Sequence, residues 1–174
     1  MRLFLLGLLI GLFILAPLAA YAYVRLGFLS LATTAKPFPF EQLMAHTALN
    51  ESVGSAANDK DPLSVSDENL MAGAKAYRER CAVCHGLTGQ PKTSIAAGMF
   101  PKPPQLLEGH GVTDDPEGAT HWKIVNGIRL SGMPGFSQTL SDTERWQITM
   151  LLKHADNLPV AVKAVLSQPQ GPPQ

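Results

Sequence analysis

The sequence predicts an all-α fold. Three stretches carry helical spacing with clear end signals, and the loops between them are rich in proline and glycine. Little of the chain alternates as a strand would. An uncharged N-terminal run adds one more helix, of membrane-spanning length.

That first run extends from Leu3 to Val24, 22 residues without a charge, bracketed by Arg2 and Arg25. As a helix it rises about 33 Å, which matches a hydrocarbon core of roughly 30 Å. Gly7, Gly11 and Pro17 are tolerable in lipid, and Tyr21 and Tyr23 suit an interface. Residues 1–25 are therefore expected to form a single transmembrane anchor. The competing reading is a cleaved signal peptide, since Ala20-Tyr21-Ala22 has the small-x-small form. The apolar run exceeds the roughly 7–15 residues of a signal core, which favours the anchor.

Residues 26–65 read as a spacer. Lys36-Pro37-Phe38-Pro39-Phe40 is stiff, and Phe40 to Val53 forms a candidate docking helix with Phe40, Leu43, Met44 and Thr47 near one side. As flexible coil, this region would span about 35 Å.

The expected globule covers residues 66–165. Its first helix runs over about Asp67 to Cys81, with Leu70, Ala74, Tyr77 and Cys81 at helical spacing. Gly73 within it weakens the helix, so a close packing contact is expected there. The second covers about Pro116 to Asn126, with Asp115 as N-cap, Pro116 at the first position and Gly127 as the stop. Ala119, Trp122 and Val125 form its apolar stripe. The third opens on Ser141-Asp142-Thr143-Glu144, which has capping-box spacing, and continues through Trp146 and Met150 to about Ala155. Residues 166–174 read as a disordered Pro/Gln tail.

Formal net charge is zero, with 14 basic and 14 acidic residues. No nucleic-acid partner is expected from so mild a field. The globule's apolar side chains are sparse for its size. A buried flat apolar cofactor would supply the missing surface.

Both cysteines lie in Cys81-Ala82-Val83-Cys84-His85. This C-x-x-C-H pattern is the haem c attachment signature. Two thiols three positions apart at a helix end can add to the two vinyl groups of one haem. The adjacent imidazole then lies beneath the iron. A thioredoxin-like dithiol would need a βαβ setting, and none is visible. A zinc site would need two further ligands, and His85, His110, His121 and His154 show no paired spacing.

Over about Asp67 to Asp156 the chain resembles the class I cytochrome c family. The resemblance rests on Gly73-x3-Tyr77-x3-Cys81-x2-Cys84-His85, on Pro104-Gln105-Leu106, and on Gly127-Ile128-Arg129-Leu130-Ser131-Gly132-Met133-Pro134-Gly135-Phe136. It implies a small helical fold wrapped around one covalently attached haem c. It implies that Gly73 and Tyr77 pack against an aromatic of the last helix, a role Trp146 fills. It further implies that the Pro104 carbonyl accepts the His85 ring N–H, with Leu106 beside it. Finally it makes Met133, 48 residues after His85, the sixth iron ligand. Met99 in Gly98-Met99-Phe100-Pro101 is the competing thioether, and Met150 reads as core packing. Trp122 is read either as a propionate partner or as a buried apolar ring. Arg129 is either a propionate partner or solvated. His46, His110, His121 and His154 receive no role.

An electron carrier rather than an enzyme is expected. Two axial protein ligands close the iron to substrate, and His/Met ligation favours a fairly high potential. Family-type haem attachment occurs outside the cytoplasm. The resemblance thus implies a single-pass protein of a bacterial inner membrane, its haem domain facing the periplasm. The expected partners are the membrane and redox proteins of the respiratory chain: a quinol-oxidising complex, a terminal oxidase or a dehydrogenase. A subunit fixed within a larger oxidoreductase complex and a haem-based small-ligand sensor are the alternatives.

Overall fold

The computed structural model describes residues 1–108 and 113–169, and within the first helix it leaves out the side chains of residues 3, 4, 6, 8 and 9. Helices account for the regular structure, and among the described residues no strand is present beyond an isolated bridge between Ile128 and Met133. The chain forms two units, Met1–Gln42 and one beginning at Leu43.

In the first unit, α1 runs over Arg2–Arg25. Leu26 follows it as C-cap, and Tyr23 stacks on Phe28 with ring centroids 5.5 Å apart. Among the described residues no helix is long and apolar enough to cross a membrane, so the transmembrane segment expected over residues 3–24 is not found there. α2 covers Glu41–Val53, begins after Phe40, whose φ is +66°, and from Leu43 onward belongs to the second unit. Leu43 and Met44 stay exposed, whereas Val53 is buried.

In the second unit α3 (Asp67–Arg80) crosses α7 (Asp142–Lys153), and this crossing is the centre of the core. Ser66 caps α3 by accepting from the Asn69 N–H, and Ser141 with Glu144 completes the expected capping box of α7. Leu70, Ala74 and Tyr77 from α3 share the core with Ile148, Leu151 and Leu152 from α7. Gly73 is the reason the helices approach so closely. A Cβ there would overlap the Gln147 carbonyl and come within 3.2 Å of the Leu151 Cβ. The glycine costs helix propensity and permits backbone contact. Met150 is buried, as expected of a packing residue.

Three differences from the sequence-based expectations arise from tertiary packing. Residues 54–58 form a 3-10 turn that packs on α6 (Glu117–Asn126), so the globule begins inside the expected spacer. Gly118 allows this, because a Cβ there would collide with the backbone of Ala56 and Asp59. Second, α8 (Val160–Ser167) packs Val162 and Leu166 against the core and continues past residue 165. The Arg78 guanidinium donates to the carbonyls of Val165, Gln168 and Pro169, and holds that end. Residues 170–174 of the expected tail lie outside the described residues. Third, Pro116 is the N-cap of α6 rather than its first residue. Asp115, expected to cap it, instead pairs with Lys123 at 2.9 Å. The buried face of α6 is Gly118, Ala119, Thr120 and Ile124, whereas Trp122 and Val125 are half-buried.

Candidate haem site

The C-terminal end of α3 delivers the first cysteine. Cys81 is its C-cap, and α4 (Ala82–His85) begins at the next residue. The turn is closed by the N–H groups of Cys84 and His85, both donating to the Cys81 carbonyl. Gly86 then reverses the chain with φ +80°. Both thiols are unpaired and half-buried. Burial pushes the Cys81 thiol up to about 12, with the nearby Cys84 a smaller cause. A thiol held there stays protonated at neutral pH, the opposite of an activated dithiol. Among the described residues no three His, Cys, Asp or Glu side chains gather into a metal-binding group. Neither the dithiol nor the zinc reading gains a partner.

His85 Nδ1 donates to the Pro104 carbonyl at 2.8 Å. A carbonyl can only accept, so Nδ1 carries the proton and the Nε2 lone pair remains available to a metal. Burial lowers the His85 pKa, and the Pro104 bond opposes that shift. The carbonyl is held in place by its neighbour: the Gln105 side chain accepts from the N–H groups of Leu106 and Leu107 at 2.9 and 3.1 Å. Tyr77, fully buried, donates its hydroxyl to the Gly86 carbonyl at 3.0 Å. Desolvation raises its pKa, so the phenol stays a donor. Cys81, Cys84, His85, Tyr77, Pro104 and Leu106 are thus one connected group.

Met133 belongs to a second group, built on the end of α6. Gly127 ends that helix at φ +69°, and a Cβ there would lie 2.6 Å from the Met133 carbonyl. The Ile128 N–H donates to that carbonyl at 3.1 Å. The Ser131 hydroxyl donates to the Ile128 carbonyl at 2.7 Å and accepts from the Met133 N–H at 3.2 Å. Leu130, at the tip, is exposed with φ +64°.

Trp146 departs from its expected role. The atoms nearest Gly73 belong to Gln147 and Leu151, so those residues make the helix crossing. The Trp146 ring instead stacks on His121 of α6, with centroids 3.7 Å apart and planes 6° from parallel. It is buried and supports the α6–α7 contact. His121, assigned no role from the sequence, is its partner; two aromatic residues at nonlocal positions give no periodic signal. Thr93, bonded to Val83 ten residues away, escapes sequence reasoning for the same reason. Trp122 is half-buried and Arg129 is exposed. His110 lies outside the described residues.

These residues fit a haem. The two free thiols, the imidazole with its Nε2 lone pair free and the thioether supply the right donor set. Val83, Phe100, Leu106, Trp122, Ile128 and Met133 are apolar yet only half-buried. A flat apolar cofactor would remove such surface from water.

Residues 68–150 match the family model of cytochrome c oxidase, cbb3-type, subunit III. This part of the chain is a class I-like monohaem cytochrome c domain, and such a domain carries covalently bound haem c. A cytochrome c domain transfers electrons. A chain of the Kuenenia stuttgartiensis reducing HAO-like protein complex is similar at 26% identity and a TM-score of 0.47, over 59% of this chain and 48% of that one. The present chain thus spans about half the length of that relative. No curated protein matches it.

Proposed function

We propose that the chain is a membrane-tethered monohaem cytochrome c that passes single electrons between redox proteins on the periplasmic face of a bacterial inner membrane. Cys81 and Cys84 hold the haem, and His85 and Met133 are its axial ligands. The observation that carries this reading is the 2.8 Å bond from His85 Nδ1 to the Pro104 carbonyl, directly after two free cysteines. That bond fixes the tautomer and the ring plane, and it raises the basicity of the remaining nitrogen. When bound, haem c supplies a one-electron ferric/ferrous couple. The chain's residues then set where that couple lies: imidazole on one side, soft thioether on the other, apolar side chains around.

The tether reading is supported by the uncharged stretch from Leu3 to Val24 within the 24-residue α1, where residues 3, 4, 6, 8 and 9 carry apolar side chains that lie outside the described ones. A helix of that length rises about 36 Å. Membrane confinement would keep the domain near its partners at an effective concentration of order mM. Intact mass and membrane fractionation test it. A mature protein lacking the first residues, recovered in the soluble fraction, would remove the anchor.

The axial assignment is tested with Met133→Ala. The variant should keep covalent haem, lose the sulfur-to-iron charge-transfer band and have a lower potential. An unchanged band would sink the assignment. A second reading, a fixed electron-transfer subunit of a larger oxidoreductase, is favoured by the matched family being described as an oxidase subunit. Exposed Leu43 and Met44 of α2 would then belong to the docking element. Stoichiometric copurification from native membranes would support this reading over the free carrier.

A further inference from the structure

The cysteine turn and the Met133 loop are built from different helices, α3 and α6. One short segment reaches both. It begins at Thr93, whose hydroxyl donates to the Val83 carbonyl at 2.5 Å, inside the Cys81–Cys84 turn. The same oxygen accepts from the Ala96 N–H at 3.1 Å and caps α5 (Ser94–Gly98), which packs on α4. The segment ends at Met99, half-buried, whose methyl group lies against Gly132. A Cβ on Gly132 would lie 2.8 Å from the Met99 methyl carbon. Gly132 also has φ +80° and immediately precedes Met133. The contact therefore falls one residue from the proposed thioether ligand.

We infer that Met99 is a positioning residue for Met133, and that residues 93–99 strap the cysteine turn to the distal loop. The inference rests on the His85/Met133 reading of the haem site. The loop's bonds, between Ile128, Ser131 and Met133 and from Phe136 to Ile124 and Arg145, tie it to itself, to α6 and to α7, and its tip is exposed. These bonds fix the loop's shape and its seat on α6 but do not themselves reach the cysteine turn. Met99 supplies a contact from outside the loop, carried by a segment that Thr93 pins to that turn. Removing it raises the population of loop states in which the thioether is off the iron. Met99 acts by packing and not as a ligand, so a side chain of similar volume replaces it.

The test compares Met99→Ala, Met99→Leu, Thr93→Val and Met133→Ala as haem-loaded full-length proteins. The readouts are the charge-transfer band, the pH at which that band is lost, and carbon monoxide binding by the reduced protein. Met99→Ala should increase the thioether-off population about tenfold, which moves the pH of band loss down by about one unit. Carbon monoxide should bind Met99→Ala faster than wild type. Thr93→Val, which keeps the size and removes both bonds, should shift the band in the same direction. Met99→Leu should restore wild-type behaviour.

An unchanged pH of band loss and unchanged carbon monoxide binding in Met99→Ala, with the band abolished in Met133→Ala, would overturn the strap and leave the axial reading intact. A Met99→Leu variant as impaired as Met99→Ala would also overturn it, because packing alone would not be what Met99 supplies. If Met133→Ala keeps the band while Met99→Leu loses it, Met99 is itself the ligand, and the axial reading and the strap both fail.

Discussion

The two sides of the candidate haem site are held in different ways. The cysteine turn is pinned from far away in sequence: Pro104 receives His85, Tyr77 donates to Gly86, and Thr93 donates to Val83. The Met133 loop is held mainly by its own bonds, at Ile128 and Ser131, and is tied to its surroundings at Phe136, which bonds to Ile124 and Arg145; its tip residue Leu130 is exposed at positive φ. Bonds to distant backbone resist any motion short of unfolding. Bonds within one loop let it move as a body. On the proposed reading, the first side would keep the cofactor in place and the second would set how firmly the iron is closed. Substitutions on the first side should therefore cost the fold, and those on the second should show in the spectrum.

The largest effect is expected from Cys81→Ala with Cys84→Ala. Haem should no longer survive denaturing gels, and the cooperative thermal transition should disappear. A red, fully folded product would break the comparison at its root. Next, Trp146→Ala should cost about 3–5 kcal/mol, because a buried ring stacked on His121 is removed. Chemical denaturation measures it, and a loss under about 1 kcal/mol would mean that the α6–α7 contact does not depend on the ring.

Gly127→Ala probes the loop. The positive φ with extended ψ costs about 1–3 kcal/mol for a non-glycine residue, and the added carbon would crowd the Met133 carbonyl. Covalent haem should persist while the sulfur band weakens; loss of haem with the band retained would reverse the assignment of the two sides. On the other side, Tyr77→Phe should cost about 1–2 kcal/mol by leaving the Gly86 carbonyl unpaired. Its potential should barely move, and a large shift would place Tyr77 in tuning the iron rather than in holding the turn.

The smallest effect is a pH dependence. Burial lowers the His121 pKa below its ordinary 6.5, with Asp142 opposing and Arg145 reinforcing. Nε2 lies 3.6 Å from the Asp142 carboxylate, beyond hydrogen-bonding reach. Since the folded pKa is the lower one, the neutral ring contributes its full stability above 6.5. That contribution is lost as pH falls through the folded value, where the unfolded chain already holds the proton. Thermal unfolding followed from about pH 7 to 5 should show the slope, and His121→Gln should flatten it.

Much of the site is legible in the sequence because its residues announce themselves locally. C-x-x-C-H needs one turn of chain, and the Ser141–Glu144 box needs four residues. Gly73 inside a helix signals a close approach, which the Gln147 carbonyl supplies. The misses share a physical origin. Residues 54–58 are small and polar, and they pack because Gly118 lets backbone meet backbone, a match that hydrophobic period cannot reveal. α8 is eight residues long behind Pro159, too short for its spacing to stand out, and it is stabilised by burial against α3 rather than by propensity. Trp146 is expected at the crossing because it is the aromatic of the last helix. One residue along a helix turns the side chain by about 100°, enough to carry it from α3 to α6.

The side-chain bond from Gln147 to Asn69, at 3.0 Å, joins residues 78 positions apart and sits beside the Gly73 contact. Cys81, Cys84, His85 and Met133 all lie on the closed circuit between them. The entropy of closing such a circuit grows only logarithmically, about 0.6 kcal/mol for each doubling. Length is therefore nearly free along its exposed stretches, such as Pro91 and Lys92. The two ends must meet at a fixed spacing, but the route between them can be rewritten, so the clasp can be preserved while the surface offered to redox partners diverges.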